Sequence, residues 1–178
     1  MKVATAVLLA GLCTLPALAQ SSVKDAIASH WKVSGEFTIA VADKMPADGY
    51  TFRPTPEEMS FGQLMAHIAN ADVNACANAS GLTKPEPPAG IAAWLKSQQK
   101  SEVSREDAIT FLKDTFAFCD KAIAAATWEK LDNIQGPPAR KLTGYEWLWS
   151  YFTHTAHHRG QAEVYLRVKG IKPPDYKF

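Results

Sequence analysis

Three histidines carry the chemistry that this sequence offers. His154 and His158 lie in the run His154-Thr155-Ala156-His157-His158-Arg159-Gly160-Gln161. Residues four apart on a helix share a face one turn apart, where two imidazoles can grip a single ion. His157, the residue between them, points off that face, and His30 has no partner at helical spacing and reads as a surface residue. No glutamate sits between His154 and His158 as a His-Glu-x-x-His metalloprotease requires, so that reaction class is set aside.

His67 belongs to a different segment, in the polar stripe Gln63, His67, Asn70 and Asn74 beside the apolar Leu64, Ile68 and Ala71. A polar stripe on a core-facing helix costs desolvation unless something satisfies it. A metal ion held by His67 would do so, and a lone core histidine that merely hydrogen-bonds is the bland alternative. Metal-bound histidine normally passes its second ring N–H to a nearby oxygen, for which Gln63, Asn70 and Gln161 are placed. Tyr151, Gln161 and Tyr165 continue the polar face of His154 and His158, and Gln63, Asn70, Gln161 and Tyr165 are candidates to support the ligands or orient a substrate. The sequence offers no general base.

The elements that must position these residues follow from period and punctuation. Apolar positions recur at three- and four-residue steps over residues 23–45, predicting a first helix. Pro46, Asp48-Gly49, Pro54 and Pro56 then force an extended connection. Ser60 with Gln63 is a capping box opening a second helix to about residue 79, and a short helical piece is expected over residues 91–98. A third long helix follows Ser104, with the stripe Ala108, Leu112, Thr115, Cys119, Ala122 and Ala126. Residues 127–142 read as a loop around Gly136-Pro137-Pro138, and Thr143 with Glu146 caps a fourth long helix that ends near Lys169. Nothing alternates with period two over a strand's length. The fold class is therefore all-α, a four-helix bundle. Trp31, Trp147 and Trp149 are expected in the core, Glu36 on a solvated face, and Arg159 against a carboxylate or helix-end carbonyls.

The N-terminus carries Lys2, an apolar run over residues 3–15, and Ala17-Leu18-Ala19 before Gln20. This pattern predicts a secretory signal peptide, residues 1–19, cleaved after Ala19, and a mature domain of residues 20–178. The run is shorter than the ~20 residues of a membrane span. Cys13 follows Gly11-Leu12, so free release to the periplasm or medium is expected, without a lipid anchor. In the 178-residue chain 19 Lys and Arg nearly balance 18 Asp and Glu, which leaves no polyanion footprint and points away from nucleic acid and toward a small-molecule partner. A homodimer is compatible with the sequence. Cys76 and Cys119 outlast processing in a disulfide-permissive compartment, and whether they pair stays open because geometry decides it.

Tyr50-Thr51-Phe52-Arg53-Pro54, the stretch Ser60-Phe61-Gly62-Gln63-Leu64-Met65-Ala66-His67-Ile68-Ala69, the His154–Gln161 run, and Tyr165-Leu166-Arg167 with Gly170 and Pro173-Pro174 together resemble the DinB-like (YfiT-like) superfamily of bacterial metal-binding bundles. The resemblance spans nearly the whole mature chain. It implies a four-helix bundle binding a divalent transition metal, zinc or nickel, through positions that match His67, His154 and His158. Family members with assigned roles are thiol-dependent S-transferases and isomerases, and others are described as metal-dependent hydrolases. The expectation is a metal-dependent hydrolase or thiol-type transferase; the alternative is a non-catalytic metal- or small-ligand-binding bundle.

Overall fold

The computed structural model describes residues 23–177. The signal-peptide and cleavage-site expectations fall on residues 1–22 and lie outside the described residues. Helix α1 spans Val23–Lys44, α2 Phe61–Ser80, α3 Ala89–Lys96, α4 Arg105–Ala125, α5 Trp128–Asp132 and α6 Gly144–Val168. Of these, α1, α2, α4 and α6 are the long helices of a bundle.

The helix starts follow the sequence signals. Ser60 Oγ accepts from the Gln63 N–H while Gln63 Oε1 accepts from the Ser60 N–H, so the box that opens α2 is formed in both directions. Thr143 and Glu146 do the same for α6, and Ser104 accepts from the Asp107 N–H at the head of α4. Helix α2 packs chiefly against α4 and α6, and α1 against the same two. The first two long helices are thus diagonal rather than adjacent, and α6 lies between them with one face toward each.

The apolar stripes meet in one core. Trp31, Phe37 and Val41 of α1, Phe61, Leu64, Met65 and Ile68 of α2, Leu112 and Ile123 of α4, and Trp147 and Leu166 of α6 all lie within it. Gly35 permits the closest approach of α1 to α4, since a Cβ there would stand 2.7 Å from the Phe116 ring. Trp149 is a correction: it is 63 % exposed. Two residues apart on a helix means about 200° of rotation, so Trp147 and Trp149 cannot both face the core.

The connections differ from expectation in two places. Residues Ala47–Thr51 form a 3-10 turn within the proline-flanked connection. The loop expected over residues 127–142 contains α5, capped by Thr127, and a minimal antiparallel ladder of β1 (Ile134–Gln135) and β2 (Leu142–Thr143). Two residues per strand are too few for a period to register in sequence. The cysteine question is resolved, because Cys76 and Cys119 form a disulfide with a Cα–Cα distance of 5.3 Å that ties α2 to α4. Among the described residues no helix is long and apolar enough to cross a membrane.

Candidate metal centre

His67 stands on α2 and His154 and His158 on α6, and the packing of those two helices brings the three rings together. The Nε2 atoms of His67 and His154 are 3.1 Å apart. Ring centroids are separated by 5.0 Å for His67 and His154, 4.8 Å for His67 and His158, and 4.3 Å for His154 and His158. One ligand atom from each of the three lies within 4.8 Å of the others, and each residue is half-buried.

Their environment favours neutral rings. Burial pushes His154 down to about 4, helped by the neighbouring His158, His67, His157 and Arg140. His67 is lowered by burial and then by His158, and His158 by burial. A neutral imidazole has a lone pair to give, so all three are ready to ligate near pH 7.

The chemistry of the set fits a divalent ion. Three nitrogens at ~2.0–2.1 Å from a tetrahedral ion stand roughly 3.3 Å apart. The 3.1 Å contact already has that spacing, and the 4.8 Å limit on the widest pair leaves a modest closure. Gln161 Oε1 accepts from His158 Nδ1 at 2.7 Å, which fixes that ring's proton on Nδ1 and leaves its Nε2 as the donor atom. The buried Nδ1 of His154 has no hydrogen-bond partner among the described residues, so that ring's polar engagement is all on the cluster side.

Of the four residues expected around the ligands, Gln161 touches one. Gln63 spends its amide elsewhere: Oε1 accepts from Arg53 Nη1 and the Ser60 N–H, and Nε2 donates to the Lys100 and Ser101 carbonyls. A carboxamide so fully engaged as a helix cap and loop clamp has nothing left for His67. Asn70 accepts from Asn74 Nδ2 through its backbone and side-chain oxygens. Tyr165 donates its hydroxyl to the Met59 carbonyl at 3.0 Å and packs on Phe52 and Phe61. His157 and Glu36 are exposed, as expected, and so is His30. Among the described residues Arg159 meets neither a carboxylate nor a helix end; its Nη1 donates to Ser34 and Thr38 on α1 and its guanidinium lies over Phe37.

Sequence reasoning missed Gln99, Arg140 and Asp72, and had Tyr151 only as a continuation of the His154–His158 face. Gln99, just beyond α3, comes beside the His67 ring, where its side chain works against the lowering that burial and His158 impose on that imidazole. Its φ of 66° and the 57° of Gln98 are unusual for residues with side chains and have no sequence signal. The Tyr151 ring packs 5.5 Å from that of His154 at a tilt of 51°, and Arg140 in turn sits over Tyr151. Asp72, fully buried on α2, meets Thr155 Oγ1 of α6 with both carboxylate oxygens at 2.8 Å. Burial pushes this carboxyl well above its usual range, and the Thr155 hydroxyl that donates to it works in the opposite direction.

A bundle of four long helices with three imidazoles converging between its second and last defines a histidine-rich helical scaffold open to metal chemistry. The chain belongs to the DinB superfamily, which it matches over residues 32–162. It is similar to YjoA of Bacillus subtilis, at 28 % identity over 156 residues, covering 81 % of this chain and 89 % of that protein. Among solved structures, a DinB-like protein from Bacillus cereus aligns with a TM-score of 0.68 at 18 % identity, over 85 % of this chain and 95 % of its own. YfiT of Bacillus subtilis, described as a probable metal-dependent hydrolase with an unusual four-helix bundle topology, aligns with a TM-score of 0.63 at 15 % identity, over 86 % and 93 % of the two chains. At such identities these two likenesses speak to the fold.

Proposed function

We propose that the protein is an exported metal-dependent enzyme, a hydrolase or thiol-type transferase for a small molecule, with a divalent ion held by His67, His154 and His158. The observation that carries this reading is the approach of three neutral, half-buried imidazoles to within 4.8 Å of one another. Imidazole suits zinc and nickel alike, and three protein ligands leave positions for solvent or substrate. When bound, such an ion supplies Lewis acidity, lowering the pKa of a water toward ~7 or stabilising a thiolate. Gln161 holds His158 in the ligating tautomer, and Gln99 lies beside His67. The hydrolase side of the reading is supported by the description of YfiT. Export is supported by the Cys76–Cys119 disulfide, a bond that persists in oxidising compartments.

The test is metal content measured beside turnover. Purified protein is expected to hold one zinc or nickel per chain and to hydrolyse or transfer at least one member of a panel of small esters, amides and thiol acceptors, with loss of turnover on chelation. One ion per chain with no turnover across the panel would move the reading to a non-catalytic binding bundle, and no ion would end it.

A further inference from the structure

The hairpin between α5 and α6 is built to hold one cation beside the candidate metal centre. Its two-residue ladder pairs Ile134 with Thr143 and Gln135 with Leu142. Gln135 ties it down: its backbone carbonyl accepts from Trp147 Nε1 at 3.0 Å, and its side chain donates to the Lys130 carbonyl at 2.6 Å. Gly136 has φ 111°, and a Cβ there would stand 2.6 Å from the Arg140 carbonyl and 2.7 Å from the Trp147 ring. Only glycine allows the loop to close so tightly on α6. A turn from Pro137 to Arg140, with the Arg140 N–H donating to the Pro137 carbonyl at 2.9 Å, then presents Arg140.

The Arg140 guanidinium lies over two rings, 5.5 Å from the Trp147 centroid and 5.4 Å from that of Tyr151, and its Nη1 donates to the Tyr151 hydroxyl at 3.1 Å. Tyr151 in turn packs 5.5 Å from His154. No carboxylate among the described residues pairs with Arg140. A guanidinium that lies over two rings and spends one N–H on Tyr151 keeps its charge and its remaining N–H groups for something else. A second cation lies along the polar stripe of α2, where Lys84 Nζ donates to Asn74 Oδ1 at 2.8 Å.

We propose that Arg140 is the anion-recognising residue of the His67–His154–His158 site, and that the small-molecule substrate carries a carboxylate seated on its guanidinium while another part of the molecule meets the metal. This rests on the metal-site reading above and adds to it the charge of the substrate. The Arg140 fork matches a carboxylate in two parallel hydrogen bonds. Tyr151, whose hydroxyl holds Nη1, positions it with respect to His154.

Calorimetric titration with two probes tests this. Glutarate has a second carboxylate and butyrate, of similar length, has one; both are titrated into wild type, Arg140→Gln and Arg140→Lys, each with and without one equivalent of zinc. With zinc, wild type is expected to bind glutarate at least ~10-fold more tightly than butyrate, Arg140→Gln to bind the two nearly alike, and Arg140→Lys to fall between, with zinc content equal in all three. Equal binding of the probes by wild type, or a preference that survives in Arg140→Gln, would overturn the proposal. A chain that takes up no zinc would sink the metal reading alone: the zinc-free titrations still judge Arg140, since wild type must then bind glutarate more tightly than Arg140→Gln. Thermal melting of Arg140→Gln separates this role from simple packing of the hairpin, which would lower stability and leave the probe preference intact.

Discussion

At the scale of single residues, the ligand set makes opposite demands on His157 and its neighbours. His154 and His158 face His67 across 5.0 and 4.8 Å, whereas His157 is exposed and turned toward the Gln161 amide. Replacing His67, His154 or His158 with alanine is expected to abolish stoichiometric zinc binding, and His157→Ala to retain it, as read by metal analysis after gel filtration. Retention by His154→Ala together with loss by His157→Ala would show that the wrong member of the motif had been chosen. Gln161→Ala removes the 2.7 Å bond that fixes the His158 tautomer and should weaken zinc affinity roughly 10- to 100-fold without removing it. His154 and His158 were legible because spacing of four on a helix is a geometric statement that the fold has only to honour, whereas His67 was signalled by its polar stripe and by the family resemblance. Gln63 and Tyr165 were not, since polar residues on the same stripe can serve a cap or a carbonyl as readily as a ligand, and one sequence does not separate those uses.

At the scale of elements, capping boxes and apolar periods fixed α1, α2, α4 and α6 in advance and α3 nearly so, while the 3-10 turn, α5 and the two-residue ladder escaped because tertiary contacts hold them. The segment after α3 is the clearest case. The Gln98 N–H donates to the Leu95 carbonyl and the Gln99 N–H to the Trp94 carbonyl, the double bond of a helix ending that usually carries glycine at its left-handed position. That accounts for Gln98 at φ 57° but not for Gln99 at 66°, whose conformation brings its side chain to His67. The clamp is Gln63, through its bonds to the Lys100 and Ser101 carbonyls. Gln98→Gly is therefore expected to stabilise the protein by roughly 0.5–1 kcal/mol with zinc affinity unchanged. Gln99→Gly should relieve similar strain yet weaken zinc binding. Denaturant melts beside zinc titrations distinguish the two, and equal zinc affinity in both variants would remove Gln99 from the site. The disulfide also acts at this scale: it joins α2 to α4 across 43 residues, so reducing it should cost up to about 4 kcal/mol of stability, measured by denaturation with and without reductant.

At the scale of the whole molecule, acid, metal and fold are linked through groups whose pKa values the bundle has moved. His154 titrates near 6.5 in an unfolded chain and is held at about 4 in the folded one. Above pH 6.5 both states leave it neutral and it contributes no pH dependence; as pH falls from 6.5 toward 4 the unfolded chain takes a proton that the folded chain refuses, and stability declines. His67 and His158 are shifted in the same direction and steepen the decline. Asp72 works from the other side. Its carboxyl is raised well above 3.8, so its contribution is complete below that value and is lost as pH rises through the folded one. Three histidines outweigh the one opposing carboxyl, so the metal-free protein should grow less stable from pH 6.5 to 4. Zinc added at about 1,000 times its Kd should contribute about 4 kcal/mol at neutral pH, a rise in Tm of roughly 8–16 °C for a domain of this size. Because the ligating rings must be neutral, that rise should shrink as pH falls and vanish once the histidines protonate. Scanning Tm against pH with zinc and with a chelator reads both effects at once. A zinc-induced shift that stays constant from pH 7 down to pH 4 would rule out imidazole ligands, and a shift of full size in His154→Ala would place the ion elsewhere in the chain.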